Sequence, residues 1–149
     1  AKEDLPYEAD LQTIILNTEI AAGIEIPDAR YKDWFPNFTL GDLICDDTAT
    51  GLIVVGNKVD PLDLDAFAHV QLNLYKDEEL IATGDSSEVL GNPLNAVLWL
   101  IKKLHSHGKQ IKKGQVISSG TFISPLKLEY GTYRAEYSGI GTVEFKVSK

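Results

Sequence analysis

Carboxylate side chains are crowded into one stretch of the first third of the chain. Glu25 stands between Ile24 and Ile26, just before Pro27, and five aspartates follow it: Asp28, Asp33, Asp42, Asp46 and Asp47. Hard oxygen ligands of this kind suit Mg²⁺, Mn²⁺ or Ca²⁺. A charged residue at a solvated strand edge and a solvated acidic loop explain the same residues equally well. The pattern leaves a metal site and an acidic surface both open.

A second stretch that could do chemistry is hydroxyl-rich. Ser118, Ser119, Gly120 and Thr121 follow an apolar run and contain a glycine. Such a turn exposes backbone N–H groups, which can hold a carboxylate or enolate oxygen. The alternative interpretation is a plain turn.

Other kinds of site lack their motifs. The acidic spacing does not match an EF-hand, and no HExxH or GxSxG sequence is present. The single cysteine, Cys45, has no histidine nearby in sequence, which argues against nucleophilic catalysis. His69, His105 and His107 are scattered, and we interpret them as structural.

The composition of the chain limits the kinds of molecule it is expected to bind. With 22 acidic and 14 basic residues the net charge is −8, which disfavours nucleic acid and anionic membrane surfaces. No apolar run approaches the roughly 20 residues that span a bilayer. One cysteine cannot form an internal disulfide, so we expect a cytoplasmic protein. The 149 residues predict one domain over 1–149.

Apolar spacing in the first part of the chain predicts a helix over residues 7–22, ending near Gly23. A short strand, 24–26, should end at Pro27. Residues 30–47 are predicted to form a loop, and 51–56 form an apolar run typical of a buried strand. The loop combines clustered acids with the aromatic residues Trp34, Phe35 and Phe38.

The second part of the chain is predicted to be mostly strand. Residues 69–83 should form a hairpin, and Asn92 and Pro93 are typical of the start of a helix that ends before Gly108. Three further strands are predicted at 115–118, 133–137 and 142–147, the last two antiparallel. These elements predict an α+β fold in which strands dominate and two helices pack against them.

Four stretches in this order, 23–34, 42–51, 84–100 and 118–121, resemble the 2-keto-4-pentenoate hydratase family of the fumarylacetoacetate hydrolase superfamily. In that family the first stretch typically reads ALE-hydrophobic-x-x-SR-x-x-DW and the third contains LGHPLNA followed by WL. Here the third reads Leu-Gly-Asn-Pro-Leu-Asn-Ala over 90–96. The resemblance runs over nearly the whole chain and places it in the C-terminal, β-rich part of such an enzyme.

The resemblance implies a mixed, mostly β fold that holds Mg²⁺ or Mn²⁺ through three acidic side chains. The implied reaction is the addition of water to a 2-hydroxy-2,4-dienoate in aromatic-compound catabolism. Glu25 matches the third metal ligand. Arg30 and Asp33 would orient the groups around it, and Ser119, Gly120 and Thr121 would contact the oxygens of the small-molecule substrate.

The sequence also departs from the family. Asp47 replaces a common asparagine, Asn92 a common histidine and Cys45 a common alanine. The family's first two metal ligands belong to a Glu-x-Glu strand that would precede residues 2–6, and neither it nor the family's proposed acid/base residues are present. We therefore expect this chain alone to be inactive, with the N-terminal part cut away or supplied by another chain.

Three functions remain open. The hydratase is the first, and a 2-oxo-3-hexenedioate (4-oxalocrotonate) decarboxylase, which shares the motifs, is the second. A non-catalytic binding or assembly protein with the same fold is the third. Strands that would pair with the absent part should leave exposed edges, so we also expect a homo-oligomer.

Overall fold

The computed structural model describes residues 1–33 and 37–149, so Trp34, Phe35 and Pro36 of the predicted aromatic loop lie outside the described residues. The fold is α+β and mostly strand, as predicted. In chain order the elements are α1 (Leu11–Leu16), β1 (Ile20–Ile26), α2 (Leu40–Cys45), β2 (Leu52–Val59), α3 (Leu64–Phe67), β3 (Gln71–Lys76), β4 (Glu79–Asp85), α4 (Pro93–His105), β5 (Gly131–Tyr137) and β6 (Gly141–Val147). Two 3₁₀ turns, Asp47–Ala49 and Ser86–Glu88, follow α2 and β4.

The larger sheet has four antiparallel strands in the order β4-β3-β5-β6. The β3–β4 hairpin turns through Asp77 and Glu78, both with positive φ, as a two-residue turn between right-twisted strands requires. The predicted hairpin and the predicted final strand pair are both confirmed. One face of this sheet buries Leu72, Leu74 and Ala135.

A second apolar core lies around α4. The helix begins as predicted: the Asn92 side chain accepts a hydrogen bond from the backbone N–H of Leu94 at 2.9 Å, and Pro93 occupies the first helical position. Val97 and Ile101 project from the inner face of α4 onto Ile14 of α1 and Leu5 of the N-terminal segment. Burial of this apolar stripe, more than helix propensity, stabilises a helix of this length.

The strands β1 and β2 form a separate antiparallel ribbon. Ala22 of β1 joins the apolar core of the larger sheet. The ribbon also approaches β6 closely, since a Cβ on Gly56 would lie 3.1 Å from the carbonyl oxygen of Thr142. A register shift between Ala21 and Gly23 marks a bulge in β1, just before Glu25. Bulges of this kind redirect the side chains that follow them.

Four local predictions are wrong. The helix predicted over 7–22 is only α1, because Asn17 ends it, and residues 20–26 form β1 instead. The predicted loop 30–47 contains the helix α2, which begins at a capping box between Thr39 and Asp42. The run 51–56 is a strand, but Leu52, Ile53 and Val55 are exposed. The segment 115–118 forms no ladder with any described strand.

Within the residues that the structure describes, no helix is long and apolar enough to cross a membrane.

Candidate functional site

Glu25 projects from β1 into a cleft between the β1–β2 ribbon and the irregular segment that follows α4. The cleft has a volume of about 1440 Å³. In the ladder Glu25 lies opposite Ile53, and its side chain is exposed. The Ser118 hydroxyl donates a hydrogen bond to Oε1 of Glu25. No described residue is seen to donate a hydrogen bond to the second carboxylate oxygen.

Tyr137 of β5 fixes the same strand from the sheet side. Its hydroxyl donates a hydrogen bond to the carbonyl oxygen of Gly23 at 2.6 Å, two residues before Glu25. Burial, and after it the negative charge of Glu25, raise the pKa of Tyr137 to about 12. Phe122 packs edge-on against the Tyr137 ring, with centroids 5.6 Å apart. Sequence reasoning did not single out Tyr137, because the contact joins residues more than a hundred positions apart.

The hydroxyl-rich segment lines the cleft opposite Glu25. Gly120 has a φ of 122°, and a Cβ there would lie 3.2 Å from Cγ1 of Val89. The backbone of the segment at Gly120 is therefore packed closely against the Val89 side chain. The Thr121 hydroxyl donates to the carbonyl oxygen of Ile123 at 3.1 Å. Ser119 is half-buried. The structure thus brings Ser119, Gly120 and Thr121 to the same cleft as Glu25.

Arg30 joins the two ends of the long connection between β1 and β2 through hydrogen bonds. Its Nε donates to Oδ1 of Asp46 at 2.8 Å, and its two terminal nitrogens donate to the carbonyl oxygens of Asp46 at 2.6 Å and Thr50 at 2.8 Å. The Asp46 side chain is only 8% exposed. This fork of donors suits a guanidinium and would not be reproduced by lysine.

The hydrogen bonds from Arg30 hold a strained turn next to the end of β1. Residues 47–49 all have φ of 56°, although none is glycine. The N–H of Asp28 donates to the carbonyl oxygen of Ala49 at 2.9 Å. A Cβ on Gly51 would lie 2.2 Å from the carbonyl oxygen of Ile26, so only glycine fits there. Strained backbone of this kind persists only where the surroundings enforce it.

Asp28 lines the cleft with Glu25, as does Glu19, but the other four aspartates of the acidic stretch do not. Asp42 accepts hydrogen bonds from the N–H and hydroxyl of Thr39, which lower the pKa of that carboxyl, and Asp46 pairs with Arg30. Asp33 is exposed and does not line the cleft. In the described ranges 1–33 and 37–149, no group of three or more His, Cys, Asp or Glu side chains is placed to hold a metal ion.

The described residues therefore do not by themselves fit a Mg²⁺ or Mn²⁺ site. Mg²⁺ demands near-octahedral oxygen ligation and loses its water reluctantly, and a single carboxylate meets that demand poorly. Glu25 and its Ser118 donor supply one hard oxygen ligand with an orienting hydrogen bond, which is a fragment of such a site.

Two departures from the family pattern have local explanations. Asn92, where a histidine is common, caps α4 and donates through its side chain to the carbonyl oxygen of Leu64 at 3.0 Å. Cys45 is exposed at the end of α2 and borders a small pocket with Arg30 and Tyr31. Neither residue lines the cleft that contains Glu25.

Comparison with known proteins identifies relatives of the chain. No protein-family model matches it. It is 31% identical over 132 residues to a 2-keto-4-pentenoate hydratase from Paraburkholderia phymatum, an alignment that covers 86% of this chain and 48% of that protein. It is 33% identical over 117 residues to a 2-hydroxyhexa-2,4-dienoate hydratase from Comamonas testosteroni, covering 77% of this chain and 43% of the relative.

Solved structures show the same fold. The 4-oxalocrotonate decarboxylase from Pseudomonas putida G7, complexed with calcium and acetate, superposes with a TM-score of 0.77 at 22% identity, over 96% of this chain and 54% of that one. A complex of the same enzyme with magnesium and adipate gives a TM-score of 0.76 at 22% identity, over 96% of this chain and 55% of that one. The chain spans about half the length of the curated relatives it matches.

Proposed function

This chain is a homologue of the 2-keto-4-pentenoate hydratases over most of its own length and about half of theirs, and from that relationship we propose that it is part of a hydratase. The reaction is the addition of water to a 2-hydroxy-2,4-dienoate of the 2-keto-4-pentenoate type, in the breakdown of aromatic compounds. Two relatives whose names specify hydration of pentenoate or hexadienoate substrates support this assignment.

The observation that carries the proposal is the position of Glu25 in the cleft. Its carboxylate faces the segment that contains Ser119, Gly120 and Thr121, and Ser118 leaves one of its oxygens available. We assign Glu25 as a ligand of a divalent ion, Mg²⁺ or Mn²⁺, and residues 119–121 as contacts for the substrate oxygens. The calcium and magnesium complexes of the structurally similar decarboxylase support a divalent ion.

The remaining ligands come, in this proposal, from the part of the protein that corresponds to the other half of the relatives. Arg30 acts at a distance, because its guanidinium is occupied by Asp46 and Thr50. It keeps the turn at 47–49 against the end of β1, close behind Glu25. Asp33 would act further out still, in orienting the groups around the site.

The second candidate is a decarboxylase of the 4-oxalocrotonate type, which the fold match favours. A third, of another class, is a binding or assembly protein without chemistry, which is favoured because the described residues contain no group of three potential metal ligands. We place the hydratase first because the relatives with higher sequence identity carry hydratase names. We further propose that the protein is a cytoplasmic homo-oligomer that does not bind nucleic acid or membranes.

The test is an assay of the full protein as its own gene encodes it, with 2-hydroxy-2,4-pentadienoate and Mg²⁺ or Mn²⁺. Loss of the conjugated dienol absorbance reports hydration, and carbon dioxide release from 4-oxalocrotonate reports decarboxylation. Loss of a residue that only orients a metal ligand typically lowers metal affinity or activity by roughly 10–100-fold. Because Glu25 is proposed to bind the metal directly, Glu25→Gln should lower the rate of hydration by more than this. Glu144→Gln, an exposed change on β6 outside the cleft, is the matched control.

Three results would decide between the candidates. Hydration that depends on the metal and on Glu25 supports the hydratase, and carbon dioxide release without hydration supports the decarboxylase. No turnover of either substrate by the full protein, with or without metal, favours the non-catalytic protein.

A further inference from the structure

Tyr137 contacts both of the chain segments whose side chains meet at Glu25. From β5 its hydroxyl donates a hydrogen bond to the carbonyl oxygen of Gly23 in β1 at 2.6 Å. Its ring packs against Phe122, the residue directly after the hydroxyl-rich segment 118–121, with the ring planes at 75°. Tyr137, Gly23 and Phe122 all line the cleft that contains Glu25. A single side chain therefore joins the two sides of this cleft.

The contact with β1 falls at an irregular point of that strand. The pairing of β1 with β2 shifts register between Ala21 and Gly23, and a bulge of this kind disrupts the ladder and bends its strand. Gly23 has no side chain, and a Cβ there would meet nothing closer than 3.7 Å. Residues 23 and 25 project to the same face, because side chains alternate along a strand. A donor at the Gly23 carbonyl oxygen therefore helps to fix the direction in which Glu25 projects.

The contact with Phe122 holds the other side of the cleft. Ser118, four residues before Phe122, donates its hydroxyl hydrogen bond to Oε1 of Glu25, which lies 93 positions away in the chain. The segment that contains Ser118 forms no ladder with any described strand. Its position relative to β1 therefore depends on packing and side-chain contacts, such as that between Phe122 and Tyr137.

We propose that Tyr137 is a positioning residue of this site, which aligns β1 with the segment 118–122 so that Ser118 can donate to Glu25. Tyr137 itself contacts the backbone of Gly23 and the ring of Phe122, so it acts through these neighbours. The inference rests on the proposed function for its effect on turnover, whereas the alignment can be measured without turnover. A tyrosine that only stabilised the fold would leave the bond between Ser118 and Glu25 unchanged.

The test is ¹³C NMR of the full protein as its own gene encodes it, labelled at the side-chain carboxyl carbon of glutamate and measured at neutral pH. Glu25→Gln identifies the Glu25 resonance by removing it, and Ser118→Ala gives the position of that resonance without the hydrogen bond. Tyr137→Phe is the test variant. Tyr133→Phe is the matched control, because the Tyr133 hydroxyl, also on β5, accepts a hydrogen bond from the N–H of Glu129 at 2.9 Å and not from β1.

In Tyr137→Phe the Glu25 resonance should move toward its position in Ser118→Ala, and in Tyr133→Phe it should stay at the wild-type position. Phe122→Leu, which keeps the phenol but removes the ring packed against it, should move the resonance in the same direction as Tyr137→Phe. A Glu25 resonance that does not move in Tyr137→Phe would overturn the proposal. An equal movement in Tyr133→Phe would overturn it too, since that would report a general loosening of β5.

The rate of hydration gives a second measurement. Tyr137→Phe should lower this rate by up to about tenfold, as Ser118→Ala does, because both weaken the same hydrogen bond. The double variant should then be no slower than Ser118→Ala alone, since effects that act through one contact do not add. Losses that multiply in the double variant would contradict the proposal. If no variant and no wild-type protein hydrates the substrate, the hydratase assignment fails, and the NMR result still decides the role of Tyr137.

Discussion

Replacement of Tyr137 by phenylalanine should change how the stability of the protein depends on pH. The Tyr137 hydroxyl is held against the carbonyl oxygen of Gly23, and burial, followed by the charge of Glu25, raises its pKa from 10.0 to about 12. The folded protein therefore keeps the phenolic proton to higher pH than the unfolded chain does. The stabilisation is complete below about pH 10 and is lost as the pH rises through about 12.

The size of the effect follows from the two pKa values. They differ by about two, and one pKa unit corresponds to about 1.4 kcal/mol, so alkaline pH should remove about 3 kcal/mol of unfolding free energy through this group. Near neutral pH Tyr137→Phe loses a hydrogen bond that contributes about 1 kcal/mol. The variant should thus be less stable than the wild type at pH 7 and more stable by about 1 kcal/mol at pH 12, where the folded tyrosine is only half ionised, with the difference approaching about 2 kcal/mol above that pH.

Urea unfolding of the two proteins from about pH 7 to pH 12 measures this difference. Titrations common to both proteins cancel when the two curves are subtracted. Tyr130→Phe, which removes an exposed phenol, is the control. Glu25→Gln should lower the pKa of Tyr137, because it removes the second cause of the increase. A difference in stability that stays constant between about pH 9 and pH 12 would refute the reasoning.

Three further changes test the surroundings of Glu25. Arg30→Lys keeps the charge but loses the planar guanidinium that places three nitrogens on separate acceptors, so we expect a loss of about 1–3 kcal/mol of unfolding free energy. We also expect faster amide exchange near the turn at 47–49, and unchanged exchange would contradict this role. Gly51→Ala should lower the free energy of unfolding in urea by more than about 2 kcal/mol. Gly41→Ala is the control and should not, because the nearest atom to a Cβ there would be 3.5 Å away. Equal effects of the two changes would contradict the packing argument. In the proposed hydratase, Ser118→Ala should lower hydration roughly tenfold while Ser118→Thr retains it. Equal activity of the two variants would show that the Ser118 hydroxyl takes no part in the site.

The parts of the fold that local chemistry dictates were predictable. The side chains of Asn92 and Pro93 by themselves favour the start of a helix, which is where α4 begins. The β3–β4 and β5–β6 hairpins are determined by turn residues between alternating apolar positions. The helix over 7–22 failed because apolar residues continue at a helical spacing beyond Asn17. There the pairing of β1 with β2, which joins distant residues, overrides the local pattern.

Sequence alone carried the resemblance to the 2-keto-4-pentenoate hydratases and singled out Glu25 and the 118–121 segment, since these depend on motifs that are contiguous along the chain. Tertiary structure alone decided which groups meet. It gave Glu25 its hydrogen bond from Ser118, set Tyr137 behind the same strand, and used Arg30 to close a turn instead of leaving its guanidinium free. It also left the apolar strand β2 exposed where the sequence predicted burial. The physical reason is that burial and hydrogen-bond partners are properties of the elements that surround a residue, and a residue's own type and spacing do not determine them.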